Sequence, residues 1–569
     1  LEHLRQRRIV QACLLIFGIF LPILFKLGNI QLVNGAELAR KALYQRSQEV
    51  SLELVERGNI YDRKLRSLSD SGFAERLVVF PALVGDKHLV ARNLASLLGV
   101  TESEVLTRLA GRYGAWPYPL TPEQAKAIKA AKLPGVLVMP VRFRYGPQAL
   151  AANLIGYLGK IESSSELKRL TGTGKLYRLS DYVGKMGLER YYETELKGKR
   201  PERAVRALVD ARDKLIPGLG IQEVKHREDS TRRHLVLTLD RDIQQIVEEV
   251  LNTRVKKGAV VVMDAKTGDL LALASRPSYN QNSVAKAIYG QEGSYFDRTV
   301  DRTVLLAQPG SVFKVVVGAA ALDTGLVNSQ DIFECRGDAE PVKCQVSTEH
   351  RYHSFATAMA LSCNPTFVKV GLQLGSDTLI EYAKKFGLDT QKVIGYPFRP
   401  DRHQDWYKVG EENQLVNSSI GQGPVLASPV QITAMMNTIA NGGMYIEPRL
   451  VKEIRGSDGR LLKIFPLGKS HRAVSPETAH AIQGMLERVI QEGTGREAGI
   501  TGYQVAGKTG SAEVNKKAGT INAWFSGYAP VPEPRYVITV LVEEGESGGK
   551  TAAPVFREIL QRLKELPIS

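Results

Sequence analysis

Ser311 and Lys314 stand three residues apart in the run Gln308-Pro309-Gly310-Ser311-Val312-Phe313-Lys314-Val315-Val316-Val317-Gly318. No other stretch narrows the possible folds as far. A Pro-Gly turn feeds an apolar helix, and the spacing puts both side chains on one helix face. A serine hydroxyl is a weak nucleophile and needs a base beside it. A lysine is that base only when neutral, and burial or a second nearby cation lowers its pKa. The apolar Val312, Phe313 and Val315 to Val317 predict a buried helix. Ser-x-x-Lys recurs at Ser165/Lys168, Ser283/Lys286 and Ser547/Lys550, but in polar or Gly-rich text with no apolar helix to hold it. Ser311 differs by its ordered company: Ser362-Cys363-Asn364 follows, and Lys508-Thr509-Gly510-Ser511 lies far downstream. Ser278-Tyr279-Asn280 and Lys266-Thr267-Gly268 precede Ser311 and break that order; the latter reads as a turn between two strands. Such a set works only in a fold that gathers distant segments into one groove.

The remaining text predicts an α+β chain. Ile9 to Phe25 is apolar except for Gln11, extends past Lys26 to Val33, and follows Arg5, Arg7 and Arg8. With no small-x-small cleavage site, it reads as a membrane anchor with the bulk of the chain outside. Ala36 to Arg46 reads as a short helix. Helices are expected over Leu89–Leu98, Ser103–Leu109 and Thr121–Lys132, the last capped by Thr121 with Pro122 in its first turn. Residues 196–234, dense in Lys and Arg and including Pro217-Gly218, read as a solvated strand-and-loop connector ending the first region. From His234 the character changes: a strand at Leu235–Leu239, a helix at Arg241–Val255 and a hairpin at Gly258–Asp264 and Leu270–Ser275. Helical text then leads to three late strands, Gln504–Glu513, Ala523–Ala529 and Tyr536–Glu543, and a closing helix from Val555. The 569 residues carry a net charge of +16, which suits contact with an anionic surface such as membrane headgroups or cell wall. No motif or Arg/aromatic array points to nucleic acid.

The Ser-x-x-Lys, Ser-x-Asn and Lys-Thr-Gly set is that of penicillin-binding proteins and serine β-lactamases. With Arg57-Gly58-x-Ile60-x-Asp62-Arg63, Gly187-Leu188-Glu189, Ile420-Gly421-Gln422-Gly423, Ala440-Asn441-Gly442-Gly443, Gly493-Thr494-Gly495 and Trp524-Phe525-Ser526-Gly527-Tyr528, the chain resembles a class B penicillin-binding protein, almost end to end. Ser511 stands where Thr is usual. The resemblance implies a penicillin-binding transpeptidase fold, a mixed sheet covered by helices, over residues 234–569. It implies an elongated α+β pedestal over 36–233 with a helical head at about 70–140, and a cytoplasmic stub and transmembrane helix over 1–35. It implies a peptidoglycan D,D-transpeptidase in the inner membrane, catalytic domain periplasmic, crosslinking stem peptides and inhibited by β-lactams. Ser311 would be the nucleophile and Lys314 its base. Ser362 would relay a proton, Asn364 would hold Lys314 and a substrate amide, and Lys508 would supply positive charge. Thr509, Gly510 and Ser511 would bind the substrate carboxylate. Class B proteins pair with SEDS-family (RodA-like) glycosyltransferases, which would engage residues 1–100. Rival readings are a D,D-carboxypeptidase or β-lactam hydrolase, and a mainly regulatory partner of the glycan polymerase. Glu412-Asn413-Gln414-Leu415 lacks the Asn that completes the deacylating motif of class A β-lactamases.

Besides Cys13 in the apolar stretch, there are Cys335, Cys344 and Cys363. With His350, three thiolates and an imidazole make a tetrahedral zinc set of the structural kind; His353 is the alternative imidazole. A Cys335–Cys344 disulfide with Cys363 buried, or three inert cysteines, are the competing readings. The spacing resembles that of some elongation-type penicillin-binding proteins, which carry zinc beside the Ser-x-Asn motif.

Overall fold

The computed structural model describes residues 2–566 except 36, 39–46, 112, 176, 211–214, 217–219, 227–228, 285–294, 338–341, 345–349, 397–403 and 516–518. The apolar stretch near the N-terminus lies in a helix over Glu2–Val33, long and apolar enough to cross a membrane. The helix expected over Ala36–Arg46 falls almost wholly outside the described residues.

Packing divides the chain into two units, the smaller made of residues up to 56, 72–143 and 200–229. In it the antiparallel strands Gly72–Val79 and Val136–Phe143 carry three helices, Lys87–Leu98, Glu102–Leu109 and Pro122–Ala131. Leu77 and Val79 join Val90, Leu94, Val105, Leu109 and Ile128 in one core. Thr121 caps the third helix through a reciprocal bond pair with Gln124, as the Thr-Pro start predicts. The connector expected over residues 196–234 does hold strands, but they are packed rather than solvated. Arg203–Leu208 pairs with Ser47–Ser51 and Ile221–Lys225, and Val205 and Ala207 are buried against Val50 and Leu52. The Lys and Arg residues masked the burial of this strand.

The larger unit comprises residues 57–71, 144–199 and 230–569. Position along the chain suggested a division at 234; packing instead draws two earlier segments into this unit. Ile60–Tyr61 pairs with Arg233–Leu237, and a buried ionic cluster ties the two early segments to each other. Arg57 Nη1 meets Glu193 Oε2 at 2.8 Å, and Arg144 Nη2 meets Glu189 Oε1 at 2.6 Å. Glu189 also takes the Nε of Arg57, and both side chains are fully buried. A charge taken out of water must be paired, so these segments hold one another.

The centre of the unit is a five-stranded sheet of β1 (Gly258–Asp264), β2 (Leu270–Arg276), β3 (Ala506–Asn515), β4 (Thr520–Ala529) and β5 (Tyr536–Gly545), in spatial order β2-β1-β5-β4-β3. Every pairing in it is antiparallel, where a mixed sheet was expected. Three of its links are hairpins, and a hairpin can pair only antiparallel. Mixed pairing occurs in a second sheet, where Arg233–Leu237 runs parallel to Ile60–Tyr61 and antiparallel to Val451–Gly456. The helices α1 (Lys314–Asp323), α2 (Asn364–Lys385) and α3 (Pro429–Ala440) follow the hairpin in sequence; α3 is buried along its whole length and packs on β1, β4 and β5. The closing helix Ala553–Lys564 packs against Arg241–Arg254.

Candidate active site

Gly310–Phe313 forms a single tight helical turn that runs into α1 at Lys314. Lys314 is fully buried while Ser311 stays partly open. The Lys314 Nζ lies 2.8 Å from Ser362 O, 3.3 Å from Ser362 Oγ and 2.6 Å from Asn364 Oδ1. Ser362 ends the helix Phe355–Leu361 in the left-handed region, at φ 59° and ψ 40°. That conformation costs a side-chain-bearing residue about 1–3 kcal/mol and is met mainly at functional sites. Here the sharp turn presents both the carbonyl and the hydroxyl of Ser362 to Lys314 and starts α2 at Asn364.

The third motif lies on β3, against the Ser311 turn. A Cβ on Gly510 would stand 2.6 Å from Pro309 O and 2.8 Å from Val312 Cγ2. Only glycine lets the strand approach the nucleophile turn this closely. Lys508 is fully buried and donates to Thr509 O at 3.2 Å. Thr509 Oγ1 is 2.6 Å from Thr494 Oγ1. Ser511 Oγ accepts from the Gly548 N–H at 3.1 Å, so its own proton is left to donate to a bound anion.

Burial pushes the Lys314 ammonium down to about 7, against the pull of the Cys363 and Cys344 sulfurs. Burial, and then the Lys314 charge, also push Lys508 well below the ordinary lysine range. The neutral base that Ser311 requires is therefore available near neutral pH. A neutral amine has two protons, which suit Ser362 O and Asn364 Oδ1, and a lone pair left to accept.

Ser311, Ser362, Thr509 and Ser511 line one cavity of about 330 Å³. The structure thus brings the three ordered motifs together, with Lys314 and Asn364 bonded to each other behind the groove. Thr494, Arg496, Ser547 and Lys550 border the same cavity. The Ser547/Lys550 pair, set aside in the sequence for lack of an apolar helix, is thus a neighbour of Ser311. Ser547 Oγ there accepts from the Lys550 backbone N–H at 3.2 Å. The Gly548-Gly549 pair after a strand was the available signal, since paired glycines mark close backbone approach.

Beside the groove, donor atoms of Cys335, Cys344, His350 and Cys363 all lie within 4.8 Å of one another. Each cysteine is a free thiol, so the disulfide reading does not hold. Metal–ligand lengths of about 2.0–2.3 Å imply ligand separations just under 4 Å, so the set fits a tetrahedral ion with little adjustment. Cys344 Sγ and His350 Nε2 are already 3.4 Å apart. His353 is not one of the four: its Nδ1 faces His350 O at 2.6 Å and its Nε2 faces Thr366 Oγ1 at 3.0 Å. Cys363 stands between Ser362 and Asn364, so whatever fixes its sulfur fixes both.

Residues 258–561 match the family model of the penicillin binding protein transpeptidase domain, and residues 53–228 that of the penicillin-binding protein dimerisation domain. The chain belongs to the class B penicillin-binding proteins. Among its relatives, stage V sporulation protein D of Bacillus subtilis is 30% identical, over 96% of this chain and 84% of its own length. The peptidoglycan D,D-transpeptidase MrdA of Acinetobacter baumannii is 28% identical, over 90% of this chain and 81% of its own. A chain of a solved peptidoglycan synthase complex shares the fold at a TM-score of 0.71, with 24% identity, over 98% of this chain and 99% of its own. The D,D-transpeptidase domain of a peptidoglycan glycosyltransferase from Eggerthella lenta gives a TM-score of 0.54 at 26% identity, covering 64% of this chain and 96% of its own. The penicillin-binding α+β fold implied by the ordered motifs is the one this chain adopts.

Proposed function

We propose that this penicillin-binding protein is a peptidoglycan D,D-transpeptidase whose nucleophile is Ser311. The observation that carries the reading is the buried Lys314 amine, bonded to Ser362 and Asn364 behind a groove that also holds Ser311, Thr509 and Ser511. Ser311 Oγ attacks the carbonyl carbon between the two terminal D-alanines of a stem peptide while its proton passes to the neutral Lys314 Nζ. The C–N bond then breaks, and the leaving D-alanine nitrogen takes a proton through Ser362. An amine of a neighbouring stem peptide attacks the acyl-enzyme, loses its proton to the same base and releases Ser311. Asn364 keeps the amine aimed. The backbone N–H groups of Ser311 and Ser511 would stabilise the tetrahedral oxyanion by a few kcal/mol. The substrate carboxylate, held by Thr509 and Ser511, favours the charged form of Lys508; charge there disfavours charge on Lys314.

We also read the Cys335, Cys344, His350 and Cys363 cluster as a structural zinc site. Zinc would pin the loop around Cys363 and take no part in bond making. The apolar helix preceded by Arg5, Arg7 and Arg8 supports a single-pass anchor with the catalytic unit on the periplasmic side. We assign the protein to wall elongation beside a SEDS-family glycosyltransferase, on the cysteine spacing that resembles elongation-type members. Depletion that rounds rod-shaped cells supports this assignment, whereas a defect confined to spore formation favours the role carried by the name of the Bacillus relative.

The test is intact-protein mass spectrometry after benzylpenicillin. The unsubstituted protein gains one penicilloyl group on Ser311, and Ser311→Ala keeps its fold and gains none. Labelling that persists at another serine removes Ser311 from its role. Product analysis with an added acceptor amine separates transpeptidation from hydrolysis.

A further inference from the structure

The mechanism above leaves one wall of the groove unused. Arg496 and Lys550 border the cavity that holds Ser311. They sit on two short turns, Arg496–Ala498 and Gly548–Ala552, that pack against each other. The acid on the same wall, Glu497, is engaged by Arg557 at 3.4 Å. Arg496 and Lys550 are the two cations among the residues that line this cavity.

The Lys550 turn is fixed to the catalytic strand. Gly548 donates its N–H to Ser511 Oγ, and a Cβ there would stand 2.3 Å from Trp524 O and 2.5 Å from Gly510 O. The Lys550 side chain itself is loosely held. Among the described residues its one ion pair is with Glu546 at 3.4 Å, and both side chains are 75% exposed. Such a pair contributes less than about 1 kcal/mol, so Lys550 exchanges Glu546 for another anion at little cost. Arg496 spends one Nη2 bond on Glu492 O at 2.8 Å. The rest of its guanidinium fork is suited to a carboxylate.

We infer that Lys550 and Arg496 form a second carboxylate-binding subsite, separate from Thr509 and Ser511, which recognises an acidic group on the donor peptide upstream of the scissile bond. The inference rests on the transpeptidase reading and deepens it: the subsite sets which donor strands are accepted. Lys550 and Arg496 are specificity residues that touch the substrate without touching the reacting atoms. The deformable ion pair to Glu546 makes the subsite selective by charge more than by shape.

Benzylpenicillin and carbenicillin test this directly. They share the bicyclic nucleus and the phenyl side chain, and differ by one carboxylate on the side chain that mimics the upstream peptide. The readout is the ratio of the carbenicillin to the benzylpenicillin acylation rate, measured on the full chain in detergent. The ratio is expected to fall about fivefold in Lys550→Gln and in Arg496→Gln, the size of one exposed ion pair, and to recover in Lys550→Arg. Added salt is expected to lower the ratio of the unsubstituted protein, because exposed charges are screened. Both positions are exposed, and thermal unfolding of each variant checks that the fold survives. A ratio that does not move overturns the inference, as does a parallel loss of both rates, which would put Lys550 on the carboxylate common to both drugs. Failure of benzylpenicillin to acylate the unsubstituted protein would instead remove the transpeptidase reading, and this inference with it.

Discussion

The Nζ of Lys314 donates to the Oδ1 of Asn364 at 2.6 Å, linking the first two motifs across fifty residues of chain. The amide of Asn364 is held in turn, its Nδ2 donating to Lys343 O at 3.2 Å. The catalytic amine is thus oriented by a side chain that is itself oriented. Asn364→Ala removes this acceptor and lets the amine wander. Acylation by benzylpenicillin should slow by about 100-fold, the lower end of what a positioned base supplies. Stopped-flow or gel-based labelling reads the rate, and a variant within about twofold of the parent would take Asn364 out of the positioning role.

The pH profile reports on Lys314. An ordinary lysine keeps its proton until about pH 10.4. Burial brings Lys314 to about 7, so the neutral form grows as pH rises through that value. The acylation rate should therefore climb roughly tenfold per pH unit below the midpoint and level off above about pH 8. Asn364→Asp sets a carboxylate against the ammonium, favours the charged form and should move the midpoint upward. A profile flat from about pH 5.5 to 9 would mean that a group other than Lys314 takes the proton.

Gly510 tests how closely the third motif must approach. In Gly510→Ala the new methyl meets Pro309 O at 2.6 Å and Val312 Cγ2 at 2.8 Å, so the strand and the nucleophile turn must part. Overpacking of this kind costs about 1–3 kcal/mol of stability. The loss of rate should be larger, on the order of 100-fold, because acyl transfer is sensitive to displacements of about 1 Å. Thermal unfolding and acylation measured on one preparation separate the two effects. Unfolding without slowed acylation would show that the contact is structural alone.

Metal content decides the cysteine cluster. Protein purified without added zinc should carry one zinc per chain, and Cys335→Ser should lower both occupancy and melting temperature. Because Cys363 lies between Ser362 and Asn364, metal loss should also slow acylation. Metal analysis showing no zinc, together with three titratable thiols outside the anchor, would reject the site.

Much of the larger unit is legible in the sequence. The hairpin around Lys266-Thr267-Gly268-Asp269, the three late strands and the closing helix all follow from period and turn residues, which act over a few positions. The strand character of the connector was legible, but the burial of Arg203–Leu208 was hidden because its exposed face carries arginines, and charge density reads as solvent exposure when the partner strands are unknown. Ser547 and Lys550 were hidden for a different reason. Their place beside Ser311 depends on Gly548 packing against β3, a contact between segments that share no local pattern.

The order of the three motifs, the nucleophile and base candidates, the zinc-type cysteine spacing and the apolar N-terminal helix were determined by residues acting locally, through side-chain chemistry and helical or strand period. Tertiary structure alone decided that Lys314 is buried enough to lose its proton near neutral pH, that Ser362 adopts a left-handed turn to meet it, that Arg57 ties two early segments to each other, and that two separate turns bring Arg496 and Lys550 to the groove. The reason is that desolvation and ion pairing depend on which distant groups surround a side chain, and no stretch of chain contains its own surroundings.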